Sequence, residues 1–218
     1  MAAGVVISTP FFLGSVAGVL AMEAAASSAG SGAMLDNLAL LGGLRVAQAA
    51  WILGLAAKTG RLRTAFGLSA GRILPGVIRG LLWCAVFGAL ALAGILALYL
   101  AGADPLAMLR SRLPESAPAL ALFMVVGTLV APVAEELFFR GLVYGFFRRW
   151  GVAAALVVST AFFVAPHLAA TRAPFTQVVG GAVFALAYER ERTLVVPILI
   201  HGLGNLALFA LTFVSTGG

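Results

Sequence analysis

The side chains best suited to chemistry in this chain are two adjacent carboxylates, Glu135 and Glu136, which stand between two apolar runs. A carboxylate can act as a general base that takes a proton from water. On a helix, Glu136 and Arg140 are four residues apart and share a face, so they can form an ion pair. Glu135 is rotated by about 100° from Glu136 and lies off that face. We therefore expect Glu136 and Arg140 to neutralise one another, and Glu135 to be free to act on water or substrate.

The only two histidines of the chain, His167 and His201, also lie in apolar segments. Asn205 follows His201 by four residues, which places the two on one helical face. A histidine can orient a water or protonate a leaving amine. Imidazole and amide N–H groups can donate hydrogen bonds to a developing oxyanion. With Glu135 these residues make a coherent hydrolytic set, and the alternative is a buried polar network that serves helix packing only.

A metal site is a second interpretation of the same residues. Glu135, His167 and His201 would supply the carboxylate and two imidazoles of a catalytic zinc site with an open position for water. The chain lacks the H-E-x-x-H pair of the usual helix-borne zinc proteases, but this does not exclude zinc. A single cysteine, Cys84, excludes an intramolecular disulfide and a multi-cysteine metal site.

Other charged residues are interpreted as structural. Arg45 and Asp36 lie near the ends of an apolar segment and have no evident partner in the sequence. The run Glu189–Arg192 stands at the boundary of another apolar segment. We expect this run to be solvated.

The elements that must position the candidate residues are membrane-spanning helices. Only 10% of the 218 residues are charged and 62% are hydrophobic, whereas soluble domains carry about 25% charged residues. A span needs about 20 mostly apolar residues. We predict an all-α, polytopic transmembrane bundle in the cell membrane, with seven spans near residues 5–22, 37–57, 80–101, 117–147, 151–168, 174–188 and 193–215.

An eight-span bundle is the alternative, because Pro132 lies inside the over-long span 117–147 and can break a helix. Two regions are expected. Residues 1–110 would form transmembrane helices with a basic cytoplasmic connection, since Lys58–Arg79 holds five basic residues and no acid. Residues 111–218 contain all the candidate catalytic side chains. The net charge of +6 comes from scattered cations, so we expect the lipid bilayer rather than nucleic acid as partner, and the sequence does not indicate an oligomeric state.

Three short motifs resemble the signatures of the CAAX-protease and bacteriocin-processing family. The resemblance covers about residues 115–212 and implies an intramembrane glutamic endopeptidase that needs no cofactor. The motifs occur in the order Glu135-Glu136-x-x-x-Arg140, Phe163-x-x-x-His167 and His201-x-x-x-Asn205.

The resemblance also implies roles for individual residues. Glu135 would be the general base on water and His167 its partner, while His201 and Asn205 would stabilise the oxyanion. The supporting positions would be Glu136, Arg140 and Phe163.

The implied substrate is a membrane-associated or prenylated protein or peptide, cleaved near its C-terminus or in a membrane-proximal segment. One alternative is a zinc-dependent protease that uses the same residues. Another is a non-enzymatic scaffold or immunity protein, which would be expected to lose one or more of the four catalytic residues. A small transporter with a proton relay would show inverted repeats, which this sequence does not show.

Overall fold

The computed structural model describes residues 31–64, 66–109, 113–169 and 175–216. All regular elements within these ranges are helices, which confirms the all-α prediction. Two short helices, Arg61–Thr64 and Pro105–Leu109, lie in connections. The six longer ones are α1 Ser31–Lys58, α2 Ala70–Leu100, α3 Ala117–Trp150, α4 Val152–Val164, α5 Phe175–Glu191 and α6 Val195–Thr216.

Four of the described helices are long and apolar enough to cross a membrane. They are Met34–Lys58 within α1, Ala70–Leu100, Ala117–Trp150 and Val195–Ser215 within α6. The apolar segment Val152–Leu168, which contains α4, is shorter. The protein is therefore a multi-pass membrane protein. Six of the predicted spans coincide with α1 to α6, and the first, residues 5–22, lies outside the described residues.

Helix α2 differs from its predicted span at the N-terminal end. It begins at Ala70 rather than at residue 80, so Arg72 and Arg79 belong to the helix and not to the connection before it. Long basic side chains can lie along a helix and place their charge at the membrane surface. A helix can therefore extend beyond the apolar run that marks it in the sequence.

Helix α3 carries the candidate carboxylates and is continuous past Pro132. The residue lies in the short α-helical piece Ala131–Glu136, between two π-helical pieces, Val126–Val130 and Leu137–Tyr144. Proline lacks an N–H donor and clashes with the carbonyl four residues before it. A wider π turn changes the hydrogen-bond spacing next to the proline. Residues 117–147 therefore form one helix, and Pro132 does not divide them into two spans.

Close contacts between small and large residues hold α6 against its neighbours. Gly76 and Gly80 of α2 face Val195 and Leu199 of α6, and an added Cβ at Gly80 would lie 2.8 Å from the Leu199 side chain. Small residues at helix interfaces let backbones approach closely in membranes. Because α6 also packs against α3 and α5, it lies within the bundle beside the carboxylates.

The connection between α1 and α2 is tied to the connection between α5 and α6. The backbone N–H of Leu194 donates to the carbonyl of Phe66 at 2.9 Å, and the Thr193 hydroxyl donates to the carbonyl of Gly67 at 3.2 Å. The Phe66 side chain is buried against Gly141 of α3. These contacts fix the end of α1 relative to the C-terminal half of the chain.

The acidic residues of the run Glu189–Arg192 are not solvated, contrary to the expectation from sequence. Glu189 accepts hydrogen bonds from Tyr144 at 2.6 Å and from Arg148 at 2.9 Å. The pKa of its carboxyl is lowered, first by the hydrogen bonds from Arg148, against an opposing effect of burial. Glu191 accepts from the Trp83 indole at 3.0 Å. The reason is tertiary, since partners on other helices replace water at this end of the bundle.

Candidate active site

The two carboxylates lie side by side at the end of the α-helical piece Ala131–Glu136 in α3. Both side chains are buried, and Glu136 is 0% exposed. A charged group in such a position must be paired or hydrogen-bonded, because burial of an uncompensated charge is very costly. Short π-helical turns, which flank this piece on both sides, are frequent at functional sites.

Glu136 forms the ion pair that the i, i+4 spacing predicts. Arg140 Nη1 lies 2.8 Å from Glu136 Oε1, and both side chains are fully buried. The second guanidinium nitrogen of Arg140 donates to the carbonyl of Gly181 in α5 at 2.9 Å. The guanidinium also lies over the Phe163 ring, 4.8 Å from its centroid. Arg140 thus links α3 to α4 and α5 around the carboxylates.

His201 of α6 lies beside both glutamates. Its Nδ1 is 2.9 Å from Glu136 Oε1, and its Nε2 is 3.8 Å from Glu135 Oε2. A carboxylate is an acceptor, so Nδ1 carries the proton in this contact, and Nε2 of the neutral ring is then the basic nitrogen. The imidazole stacks on Phe184, with centroids 4.8 Å apart. The ring is therefore held with its second nitrogen directed at Glu135.

His167 lies in the 3-10 turn Ala165–Ala169 that follows α4. Its Nδ1 is 2.8 Å from the carbonyl of Phe163, and its ring lies beside the Phe163 ring at 5.0 Å. Because a carbonyl accepts only, this contact assigns the proton to Nδ1 and leaves Nε2 as the basic nitrogen. Electrostatic interaction links His167 to Glu135, so the turn brings the first histidine toward the carboxylates as well.

Asn205 lies one turn after His201 on α6 and contacts α3. Its side-chain amide donates to the carbonyl of Gly127 at 2.8 Å, within the first π-helical piece. Between the two residues, Gly202 lies so close to α3 that an added Cβ would be 2.4 Å from the carbonyl oxygen of Thr128. The short helix–helix distance brings His201 to the glutamates, whereas Asn205 meets α3 at Gly127, eight residues before Glu135.

Glu135 was expected from the sequence to have no ion-pair partner, and this expectation is wrong. Arg45 of α1 donates to Glu135 Oε1 at 3.1 Å, and also to Gln48 Oε1 at 3.1 Å. Arg45 was expected to be an isolated charge, and this expectation is wrong as well. The physical reason is the same for both, since a carboxylate buried among helices requires a cation.

The four candidate residues and the three supporting ones all fall within one region that matches a known family. Residues 117–207 match the family model described as type II CAAX prenyl endopeptidase Rce1-like. The match supports the CAAX-protease family that the three motifs resemble. This is a peptidase family, as the resemblance of the three motifs implied. Searches of curated proteins and of solved structures returned no match.

Within the part of the chain that the structure describes, no group of three His, Cys, Asp or Glu side chains is arranged to hold a metal ion. The zinc set considered from sequence, Glu135, His167 and His201, does not fit such a site as it stands. Glu135 Oε1 faces the guanidinium of Arg45, although both histidines keep Nε2 available as a ligand atom, with Nδ1 on an acceptor.

Arg45 is the site residue that sequence reasoning missed, and it lies outside the segment that matches the Rce1-like family. A signal was available. The buried positions of α1 recur at helical spacing, and Arg45 and Gln48 fall among Leu38, Ile52 and Ala56. A polar pair on the buried stripe of a membrane helix indicates a polar partner on the facing helix.

Proposed function

We propose that this chain is an intramembrane endopeptidase that hydrolyses a peptide bond with a water molecule activated by Glu135. The observation that carries the proposal is the placement of Glu135 Oε2 opposite His201 Nε2, 3.8 Å apart, within a membrane bundle of a peptidase family. That separation is too long for a direct hydrogen bond. One water can lie at hydrogen-bonding distance from both atoms.

In the proposed reaction, Glu135 takes a proton from the water as its oxygen bonds to the carbonyl carbon of the scissile peptide. The carbonyl π electrons move to the oxygen and form a tetrahedral oxyanion. When this intermediate collapses, the C–N bond breaks, and the proton held by Glu135 passes to the leaving amine. The products are a carboxylic acid and an amine, and Glu135 regains its charge.

The other polar residues have supporting roles in this proposal. Glu136 fixes the His201 ring through Nδ1, so that Nε2 orients the water. This role replaces the oxyanion role that the resemblance implied, because Nε2 then carries no proton to donate. Asn205 uses one amide hydrogen on the Gly127 carbonyl, and its second amide hydrogen supplies a donor for the oxyanion. His167, with Nδ1 held by Phe163, is the second group proposed to assist proton transfer, through its basic Nε2. The reaction needs no cofactor.

The proposed substrate is a membrane-associated or prenylated protein or peptide, cut near its C-terminus or in a membrane-proximal segment. Two observations support this class. The matched family is described by a CAAX prenyl endopeptidase, and the candidate residues lie on helices of a multi-pass bundle. The substrate backbone must be extended at the cleaved bond, because helical carbonyls are occupied by their own hydrogen bonds.

The test is cleavage of quenched-fluorescence peptides by the purified protein in nanodiscs. The set includes a farnesylated CAAX peptide and C-terminal segments of native membrane proteins. Wild type is compared with Glu135→Gln and with a matched control, Glu115→Gln, at an exposed position before α3. Each protein is assayed with and without a zinc chelator.

We expect cleavage by wild type and Glu115→Gln, none by folded Glu135→Gln, and no effect of the chelator. Loss of activity on chelation, restored by zinc, would instead assign a metalloprotease. Folded wild type and Glu135→Gln that behave alike on every substrate would contradict the peptidase proposal in favour of a non-enzymatic scaffold or immunity role.

A further inference from the structure

Helix α1 carries one charged side chain within its buried stripe. Its other charged residues in the described part of the helix, Asp36 and Lys58, are exposed, whereas Arg45 is 9% exposed. An arginine inside a membrane bundle is costly and is retained where it pairs with another group. Helix packing alone therefore does not explain why an arginine occupies this position.

The guanidinium of Arg45 contacts two acceptors with two different nitrogens. Nη2 lies 3.1 Å from Glu135 Oε1, and Nη1 lies 3.1 Å from Gln48 Oε1. Gln48 is 2% exposed and lies one turn along the same helix. Because guanidinium is planar and rigid, two contacts fix its orientation. Its direction toward Glu135 is thus set from within α1.

The contact with Arg45 gives the two Glu135 carboxylate oxygens different neighbours. Oε1 accepts from Arg45, and Oε2 faces His201 Nε2 at 3.8 Å. The neighbouring carboxylate, Glu136, already has its own cation in Arg140. The two buried carboxylates are therefore matched by two guanidinium groups, and each arginine serves a different glutamate.

We infer that Arg45, held by Gln48, is a positioning residue that fixes the Glu135 carboxylate so that one oxygen is presented to the reacting water. This inference rests on the proposed function. It assigns a part of the site to α1, outside the residues that match the family. A carboxylate without this anchor can rotate, and Oε2 then leaves the position opposite His201.

The experiment measures kcat and KM for the farnesylated quenched peptide in nanodiscs. The variants are Arg45→Met, which removes the charge and both hydrogen bonds, and Arg45→Lys, which keeps the charge but not the planar fork. Arg63→Met is the matched control, since Arg63 is exposed on the short helix after α1. The thermal unfolding temperature of each protein is measured in the same nanodiscs.

We expect Arg45→Met to lower kcat by about 100-fold with KM little changed, since a misplacement of about 1 Å can have that effect. Arg45→Lys is expected to lie between wild type and Arg45→Met, and Arg63→Met to equal wild type. A residue that served packing alone would lower the unfolding temperature and leave kcat of the folded protein unchanged. If Arg45→Met does not fold, Arg45→Lys decides the matter by the same comparison.

The experiment distinguishes failure of the proposed function from failure of the inference about Arg45. A wild type that cleaves no substrate overturns the proposed function and this inference with it. A wild type that cleaves and is inactivated by Glu135→Gln, but whose folded arginine variants keep wild-type kcat, overturns the inference alone. A change confined to KM overturns it as well, because positioning of the base acts on kcat.

Discussion

His201 is bound to Glu136 through Nδ1, at 2.9 Å, although 65 residues separate the two in the chain. The same Glu136 oxygen accepts from Arg140 at 2.8 Å. One carboxylate oxygen therefore receives a donor from its own helix and another from α6. Because the imidazole is held on this side, its Nε2 is turned toward the neighbouring Glu135.

The shared acceptor makes Glu136 a stabilising residue as well as a positioning one. We expect Glu136→Gln to lower the free energy of unfolding by about 3–5 kcal/mol, since removal of one partner leaves Arg140 buried without its counter-charge. The measurement is unfolding of the purified protein in detergent. The double variant Glu136→Gln, Arg140→Met is the control and should recover part of the loss. Equal stability of wild type and Glu136→Gln would contradict the assignment.

The close approach of α6 to α3 at Gly202 is a second testable feature. An added Cβ would lie 2.4 Å from the Thr128 carbonyl oxygen, a backbone atom that cannot rotate away. Gly202→Ala should therefore displace α6, at a cost of about 1–3 kcal/mol in stability. Because His201 and Asn205 flank this residue, activity should fall as well, by about 100-fold for a shift near 1 Å.

Gly204 provides the matched control on the same helix. An added Cβ there meets no atom within 4 Å. Gly204→Ala should keep activity and gain about 0.5–1 kcal/mol, because alanine is the better helix former. Stability and cleavage rate are measured for both variants. Equal rates for Gly202→Ala and Gly204→Ala would contradict the close approach of α6 to α3 at Gly202.

The connection at Gly67 can be tested through its backbone conformation. Gly67 has φ of +62°, and an added Cβ would lie 2.2 Å from the Arg192 carbonyl oxygen. Gly67→Ala combines a left-handed conformation, which costs about 1–2 kcal/mol, with a backbone clash that separates the two connections. Gly60 also has a positive φ, +68°, but an added Cβ there meets nothing within 4 Å.

Gly60→Ala thus measures the conformational cost by itself. We expect Gly67→Ala to be the more destabilising of the two in thermal unfolding, with the excess reporting the contact between the connections. If the two variants unfold at the same temperature, the contact does not contribute to stability.

The cluster around Glu189 predicts a loss of stability in acid. Hydrogen bonds from Arg148 hold the pKa of Glu189 below its usual value of 4.5. A depressed pKa in the folded state stabilises the fold above the unfolded value, and this contribution is lost as pH falls through the folded value. Wild type should therefore unfold at a higher temperature than Glu189→Gln at neutral pH, with the difference closing as pH falls below 4.5.

Glu115→Gln is the control for this pH series, since Glu115 is an exposed acid in a connection. Its unfolding temperature should follow that of wild type throughout. A difference between wild type and Glu189→Gln that stays constant from neutral pH into acid would show that the carboxylate charge is not the stabilising group.

The sequence by itself was sufficient for the class of fold and for the pair formed by Glu136 and Arg140. Too few charged residues exist to cover a soluble globule, and apolar runs of span length need no tertiary information. An i, i+4 ion pair is a property of one helix. The order and spacing of the three motifs were likewise local patterns, and the match over residues 117–207 agrees with them.

Only the tertiary structure decided which partners the carboxylates have. Arg45 and Glu135 are 90 residues apart, and no local pattern states which helix faces which. The same holds for His201 with Glu136, and for Glu189 with Arg148. Helix formation follows from hydrogen bonds and hydrophobicity within a segment, whereas the pairing of buried charges depends on how the helices pack around them.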